Sequence, residues 1–372
     1  MKVAIVHDWL VNYGGAERVV EAMLSLYPKA DIFTLVYDKN KMGKIFPESK
    51  VHTSFVQKIP FSKKLYTKLL FLMPKAFESF DFSSYDLVLC SSSSCAKGVI
   101  TSPSTLHVAY VHSPMRYAWD QYFEYKKSSG KLTAFFMDKM IPRVRLWDFV
   151  SSQRIDKIIV NSKFIERRTK KYWNLPSKVI YPPVDTNRLK PNNLSAEDFY
   201  VAFSRFVPYK RLDLAIKACA KLNKKLVVIG SGKQEKELKA LASSFKNPQI
   251  EFTGRINDNE VTDYLQRCKA LIFCAEEDFG IIPVEAQAAG RPVIAFNKGG
   301  TKETVIDGKT GILFDEQNED SLCTAILKFE EMNKNNVFKT EEIVLNAQKF
   351  STERFCNALK TEIDELLRSF NK

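Results

Sequence analysis

Short apolar runs alternate with helix-patterned segments along the whole chain, and they do so in two successive series. In the first series the strand-like runs fall at Lys2–His7, Ile32–Val36, Leu87–Ser91, Leu106–Val111, Lys157–Val160 and Val179–Tyr181. In the second they fall at Tyr200–Phe203, Lys225–Ile229, Ile250–Phe252, Ala270–Cys274, Pro292–Phe296 and Gly311–Phe314. Alternating strands and helices predict a parallel sheet covered by helices on both faces, so two series predict an α/β protein of two Rossmann-like domains. The Pro- and Asn-rich stretch from Tyr181 to Asn193 reads as the linker. The expected domains are therefore 1–190 and 191–350. The segment 351–372 has helical apolar spacing at Phe355, Leu359, Ile363, Leu366 and Leu367. With no strand after it, this helix is free to dock back on the first domain.

The 372 residues are too many for one ordinary core, which agrees with that division. No run approaches 18 uninterrupted apolar residues, so no transmembrane helix is expected. The first apolar run is cut by His7 and Asp8 and reads as a strand rather than a signal peptide, which predicts a cytoplasmic protein. The seven cysteines are scattered, without a Cys-x-x-Cys pair, and read as reduced structural thiols. A net charge of +13 favours a polyanionic partner, either nucleotide phosphates or an anionic membrane surface. Nucleic acid is the weaker choice, because no zinc-finger spacing, RNP-like strand or basic heptad is present.

Between the strand at Ala270–Cys274 and the helix formers after Glu285 lies Glu277-Asp-Phe-Gly-Ile-Ile-Pro-Val-Glu285. It reads as strand, turn and helix, with Pro283 at the first helical position and Glu285 in the first turn. Ligands of open α/β sheets bind in the crevice at the carboxyl ends of the strands. Two readings stay open for this segment alone: two ligand-binding acids, or a helix-end charge and a solvated loop acid. After the first strand of the second domain, Arg205 and Lys210 flank a Pro-Tyr turn. They suit a diphosphate, with Arg as a fork and Lys as a point charge. After the first strand of the chain, Gly14 and Gly15 open a helix, where free N–H groups suit an anion. Lys298-Gly299-Gly300-Thr301 offers a similar nest, with Thr301 as N-cap, and Gly254-Arg255 ends another strand.

In the first domain Tyr110-Val-His112-Ser-Pro-Met-Arg116-Tyr117-Ala-Trp119-Asp120 crowds polar groups and aromatics into one loop. Aromatic faces and polar forks of this kind suit a carbohydrate, and His112 can bond a sugar hydroxyl. His7 and Asp8 end the neighbouring strand and are expected to face the same cleft. With four histidines and no pair at ligand spacing, no metal is expected. Two basic stretches, Ser62–Met73 before Pro74 and Arg154–Lys178, read either as membrane-surface helices or as ordinary domain helices with a lysine edge.

Taken together, the Gly14-Gly15 loop, Arg205 with Lys210, Gly254-Arg255 and the Glu277-x7-Glu285 pair resemble a family 4 retaining glycosyltransferase. They appear in that family's order and span nearly the whole chain. The segments His7-Asp-Trp-Leu-Val-Asn-Tyr-Gly-Gly-Ala-Glu-Arg, His112-Ser-Pro-Met-Arg-Tyr-Ala-Trp-Asp and Glu276-Glu-Asp-Phe-Gly-Ile-Ile-Pro-Val-Glu resemble most the mannosyltransferases of bacterial O-antigen and related polysaccharides. The resemblance implies the GT-B fold, two Rossmann-like domains facing across a cleft. It implies that Arg205 and Lys210 hold the donor diphosphate and that Glu285 binds the ribose. Glu277, with the backbone of Phe279, Gly280, Ile281 and Ile282, would hold the donor sugar. Gly14 and Gly15 would approach the phosphates, Gly254 and Arg255 would lie near the base, and His112 would touch the sugar near the reacting carbon. Asp8, Arg116, Tyr117, Trp119 and Asp120 are the expected acceptor side.

The implied reaction moves a hexose, mannose from GDP-mannose, to a lipid-linked oligosaccharide of O-antigen (lipopolysaccharide), capsule or exopolysaccharide, with no metal cofactor. The implied place is the inner face of the cytoplasmic membrane, as a peripheral protein. Asp278 stands where the commoner family motif has glycine, which blurs the donor sugar. The alternatives are a sugar-nucleotide epimerase of the same fold and a non-catalytic nucleotide-sugar-binding assembly protein. Incubation with donor alone separates the first, and donor turnover excludes the second.

Overall fold

The computed structural model describes residues 1–370 apart from Ser128, Asn193, Leu194 and Asn247; Asn193 of the expected linker thus lies outside the described residues. Two compact units emerge: Met1–Pro183 with Phe355–Lys372, and Val184–Arg354.

The first unit is built on a seven-stranded parallel sheet. Its strands are β1 (Val3–His7), β2 (Asp31–Thr34), β3 (Val51–Thr53), β4 (Leu87–Ser92), β5 (Leu106–Val111), β6 (Lys157–Val160) and β7 (Lys178–Val179). They lie in the order β3-β2-β1-β4-β5-β6-β7. The runs in β1, β4 and β5 are buried along their whole length, as a sheet with both faces covered requires. The sequence reading lacks β3. Val51-His52-Thr53 is a short edge strand with no fully buried residue, so it carries no apolar run to find.

The last helix, Thr352–Phe370, packs on one face of this sheet beside the helix Gly15–Leu26. Phe355, Leu359 and Ile363 enter a core with Ile5, Val19 and Tyr110, and the Phe355 ring meets the edge of Tyr110. The buried Glu362 is neutralised by Lys157, at 2.9 Å, and by Lys178.

The second unit holds a six-stranded parallel sheet of β8 (Tyr200–Phe203), β9 (Leu226–Ile229), β10 (Ile250–Gly254), β11 (Ala270–Phe273), β12 (Val293–Phe296) and β13 (Gly311–Phe314). The order is β10-β9-β8-β11-β12-β13. The division of the chain falls between Pro183 and Val184, earlier than the expected boundary after 190. Val184 N–H donates to the Phe350 carbonyl, and Arg188 donates to Thr262 and the Asp258 carbonyl, so the end of the expected linker is already part of the second unit.

In each sheet the chain winds outward one way and then reverses, giving two switch points: between β1 and β4, and between β8 and β11. Such reversals leave a crevice at the carboxyl ends of the two strands, where ligands of doubly wound sheets sit.

Three local expectations are corrected. Ser62–Met73 is not one amphipathic helix: a helical turn Ser62–Leu65 passes into a 3₁₀ segment Tyr66–Leu72 that breaks at Leu69, and Pro74 lies inside a new helix, Met73–Glu78. The helix expected to start at Pro283 starts at Ile281, because Gly280, with φ of 82°, caps it in a left-handed conformation. Thr301 is not an N-cap: Gly300 takes that place, and the Thr301 hydroxyl donates back to the Lys298 carbonyl at 2.8 Å.

One charge cluster ties the second sheet to its covering helix. Glu330 accepts from the Tyr200 hydroxyl at 2.5 Å and pairs with Lys224 and Lys269. Burial pushes its carboxyl up, but Tyr200 and the two lysines outweigh this and hold it at about 2, below the ordinary 4.5. The folded state thus binds this proton less readily than the unfolded chain. The stabilisation is complete above pH 4.5 and disappears as pH falls from there toward 2. Glu330→Gln is expected to lose on the order of 2 kcal/mol at pH 7 and to unfold with a shallower dependence on acid over that window. Denaturant titrations at pH 7, 4 and 3 check this; parallel curves for variant and wild type would contradict it.

Candidate active site

At the switch point of the second sheet, β8 runs into Ser204-Arg205 and a 3₁₀ turn, Pro208–Lys210. Lys210 is only 9% exposed. Its ammonium touches the Glu277 carboxylate and lies near the faces of the Tyr209 and Phe273 rings. Arg205 is exposed, and its guanidinium approaches the Tyr209 hydroxyl at 3.4 Å. Glu277 follows the neighbouring strand β11, so Lys210 and Glu277 meet because β8 and β11 are adjacent.

The Glu277 loop is held by the other glycine turn. Glu277 bridges to Gly299, and the Gly300 N–H donates to the Glu277 carbonyl at 2.8 Å. A Cβ on Gly299 would stand 2.2 Å from the Glu277 oxygen, and one on Gly300 would stand 2.2 Å from the Phe279 oxygen. The Lys298–Thr301 turn, expected as an anion nest, is thus glycine-rich so that the backbone of Glu277 to Phe279 can pass against it. Phe279 is buried and packs on Phe350.

Because the helix Ile281–Ala288 begins two residues earlier than expected, Glu285 lies beyond its first turn, where helix-end electrostatics fade. This removes the bland explanation for Glu285. It is 4% exposed and has the Arg188 guanidinium 3.6 Å away. Sequence patterning does not single out Arg188: it sits in a stretch that reads as linker, and only the fold brings it to Glu285. The N–H groups of Ile281 and Ile282 open the helix and have no intrahelical acceptor. Gly254 and Arg255 end the edge strand β10, separated from β8 by β9. Gly254 has φ of 71° and open space where a side chain would be.

The switch point of the first unit carries a second constellation. Gly14 caps the helix Gly15–Leu26, whose first turn holds the buried Glu17. Glu17 Oε1 lies 3.4 Å from His7 Nε2. His7 Nδ1 lies 3.0 Å from the Ser91 carbonyl and 3.1 Å from its hydroxyl, and that hydroxyl lies 2.8 Å from His112 Nε2. Burial acts to lower the His7 pKa, but the bond and charge of Glu17, the charge of Asp8 and the Ser91 carbonyl raise it above 6.5. Burial, aided by the His7 charge, pushes His112 down to about 3.

The expected acceptor residues divide. Asp8 is corrected: it is 1% exposed, and its carboxylate accepts from the backbone N–H groups of Ser93, Ser94 and Ala96. Its task is to hold the loop after β4. Trp119 stacks on Tyr172 and donates to Asp148, which also binds Trp173 and the buried Lys97. Asp120 pairs with Arg168 at 2.5 Å. The Tyr117 hydroxyl meets Ser94 at 3.0 Å. Arg116 and Tyr117 remain partly exposed on this loop. Among the described residues, no three His, Cys, Asp or Glu side chains gather as metal ligands.

Residues 13–188 match the family described as Glycosyltransferase Family 4, and residues 184–349 match Glycosyl transferases group 1. The chain is 31% identical over 215 residues to an uncharacterized glycosyltransferase of Methanocaldococcus jannaschii, covering 57% of this chain and 60% of that protein. It is 28% identical over 372 residues to the alpha-1,3/1,6-mannosyltransferase ALG2 of Saccharomyces cerevisiae, covering 82% and 71% of the two chains. To the GDP-mannose-dependent alpha-(1-6)-phosphatidylinositol monomannoside mannosyltransferase of Mycolicibacterium smegmatis it is 31% identical over 172 residues, 39% of this chain and 44% of that one. The match spans about 60% of the length of the first of these curated relatives. Among solved structures, sucrose-phosphate synthase of Thermosynechococcus elongatus superposes with a TM-score of 0.74 at 18% identity, covering 99% of this chain and 100% of that one. Anabaena HepE in complex with UDP-glucose gives 0.72 at 19% identity, covering 98% and 100%. At such identities the likeness is one of fold, two parallel-sheet α/β domains. Since the two family descriptions together account for both halves of the chain, and the fold agrees over its whole length, this protein belongs to the family 4 glycosyltransferases of GT-B architecture.

Proposed function

We propose that the chain transfers a hexose, mannose from GDP-mannose, to a lipid-linked saccharide in surface-polysaccharide assembly, with retention at the anomeric carbon. The observation that carries this reading is the contact of Lys210 with Glu277 at the switch point of the second sheet, beside the exposed Arg205. The likeness to mannosyltransferases supports the sugar, and the UDP-glucose held by HepE supports a nucleotide-sugar donor.

An ammonium has three N–H donors, so Lys210 can keep Glu277 and still grip a phosphate. Glu277 thereby stands beside an anionic donor without its charge repelling it. In the proposed step the bond from the anomeric carbon to the diphosphate oxygen breaks and the acceptor oxygen bonds to the same face. The acceptor's proton passes to the departing diphosphate. Lys210 and Arg205 offset the charge on that leaving group, without a resident metal, and Glu277 orients the sugar. Glu285 with Arg188 takes the ribose side.

A panel of nucleotide sugars, each offered with and without lipid-linked acceptor, tests the reading. Acceptor-dependent release of GDP from GDP-mannose is expected. Sugar interconversion without acceptor would favour an epimerase, and no turnover of any donor would favour a binding protein.

Membrane contact is part of this proposal, but on a different helix from those expected. The helix Lys163–Trp173 spends Ile165 and Trp173 on the core. The helix Lys131–Ser152 buries Ile141 and Val144 yet exposes Leu132, Phe135, Phe136 and Leu146 among Lys139 and Arg143. Apolar side chains on a helix's outer face call for a second cover, and the basic neighbours favour an anionic bilayer over a second basic copy. Among the described residues no helix is long and apolar enough to cross a membrane. Phe135→Ser with Phe136→Ser is expected to cut binding to phosphatidylglycerol vesicles about tenfold or more. Unchanged co-sedimentation would contradict it.

A further inference from the structure

The chain of hydrogen bonds behind His112 has a direction that can be worked out from its ends. A carbonyl oxygen only accepts, so His7 Nδ1, 3.0 Å from the Ser91 carbonyl, carries a hydrogen. A carboxylate also only accepts, so His7 Nε2, 3.4 Å from Glu17, carries one too. His7 is thus an imidazolium, in keeping with its raised pKa. Its Nδ1–H also reaches the Ser91 hydroxyl oxygen, and that hydroxyl has a hydrogen to donate along the 2.8 Å line to His112 Nε2. A hydroxyl donating there pairs with a bare His112 Nε2.

We propose that Glu17, His7 and Ser91 act as positioning residues that lock His112 in its neutral Nδ1–H tautomer and leave that N–H as a donor to the substrate. Which ring nitrogen of a histidine carries the proton is decided by the bond the other one makes. Here that bond comes from the Ser91 hydroxyl, which the His7 cation holds from behind, and the same charge opposes a second cation at His112. The same arrangement explains why burial and the His7 charge drive His112 so far down. His112 Nδ1 makes no hydrogen bond among the described residues. The residue is fixed through its backbone: the His112 backbone N–H donates to the Ser92 carbonyl, and the His112 backbone carbonyl accepts from the Asn161 side chain. Among the described residues Glu17 is the only carboxylate with a hydrogen bond into this chain, whereas Asp8 is committed to the loop after β4 and acts on His7 only by its charge. The tautomer half of the proposal stands on geometry alone. The catalytic half rests on the reading that His112 touches the donor sugar.

The test uses the full chain labelled with ¹⁵N at histidine. It has four histidines, so the spectrum is small, and His112→Asn assigns the signals of interest. Long-range ¹H–¹⁵N spectra at pH 7 are expected to show a protonated Nδ1 and a bare Nε2 for His112, and two protonated nitrogens for His7. An Nε2–H tautomer or an imidazolium at His112 would overturn the proposal, whatever the activity. Ser91→Ala should mix the two tautomers and lower kcat by roughly 10- to 100-fold, the scale on which partners behind metal-bound histidines act. The KM for donor should hold, and Ser91→Thr, which keeps the hydroxyl, should restore kcat. Loss of activity with an unchanged tautomer, or a Thr variant as slow as the Ala variant, would assign Ser91 to structure only. If no donor is turned over at all, the spectra of the wild type still decide the tautomer, so failure of the reaction assignment and failure of the relay are read separately.

Discussion

Lys210→Ala is expected to lower kcat/KM by about 10²- to 10³-fold, most of it in kcat, with little change in thermal stability. The loss falls on kcat because the diphosphate gains charge only as the glycosidic bond breaks, so the ammonium does more for the transition state than for the bound donor. The variant also leaves Glu277 without the cation that touches it, and an unbalanced carboxylate beside a diphosphate opposes binding. Lys210→Arg keeps the charge but must fit a planar fork between the Tyr209 and Phe273 rings at a site 9% exposed, so it should restore only part of the rate. A cycle of Lys210→Ala, Glu277→Gln and the double variant should show strong coupling, since the two groups touch. If Lys210→Ala stays within about fivefold of wild type, the pair is a structural ion pair and the diphosphate site lies elsewhere.

Gly300→Ala should be nearly as damaging by a different route. The added methyl would lie 2.2 Å from the Phe279 oxygen and 2.3 Å from its Cα. Both neighbours are backbone, so no rotamer relieves the clash, and the loop from Glu277 to Phe279 must move away. Phe279 is pinned by Phe350, which resists that movement. A displacement of about 1 Å at a reacting group costs roughly 10²-fold in rate, and overpacking costs about 1–3 kcal/mol. Both the midpoint of thermal unfolding and the turnover of donor should fall. A variant that keeps full activity at lowered stability would show that the Glu277 loop adapts, and that its position is not set by the glycine turn.

The sequence was most legible where one kind of signal sufficed. Lys157–Val160, Tyr200–Phe203 and Gly311–Phe314 were read with their observed bounds, because continuous apolar runs between turn residues leave little choice. β3 was missed since an edge strand needs no buried run. At the helix start the sequence favours Pro283 as the first residue, whereas the left-handed Gly280 punctuates the chain and starts the helix at Ile281. Lys210 and Glu277 each follow a strand, and their mutual contact follows from the adjacency of β8 and β11. Asp8 was misjudged because its partners are backbone N–H groups, which no side-chain pattern reveals. Ser91 and Arg188 were invisible for a related reason: each gains meaning only from a partner brought near by folding.

The return of the last helix to the first sheet carries a consequence for synthesis. Ile5, Val19 and Tyr110 share their core with Phe355, Leu359 and Ile363. The residues from 184 to 354, about 170 of them, leave the ribosome in between. At ordinary translation rates of about 5–20 residues per second this is a delay of roughly 10–30 s. During that interval one face of the amino-terminal sheet is covered by the helix Gly15–Leu26 but lacks Phe355, Leu359 and Ile363, while the second unit can complete its own core. The half of the protein made first is therefore the half finished last, and nascent chains should present their chaperone-binding surface on that waiting sheet.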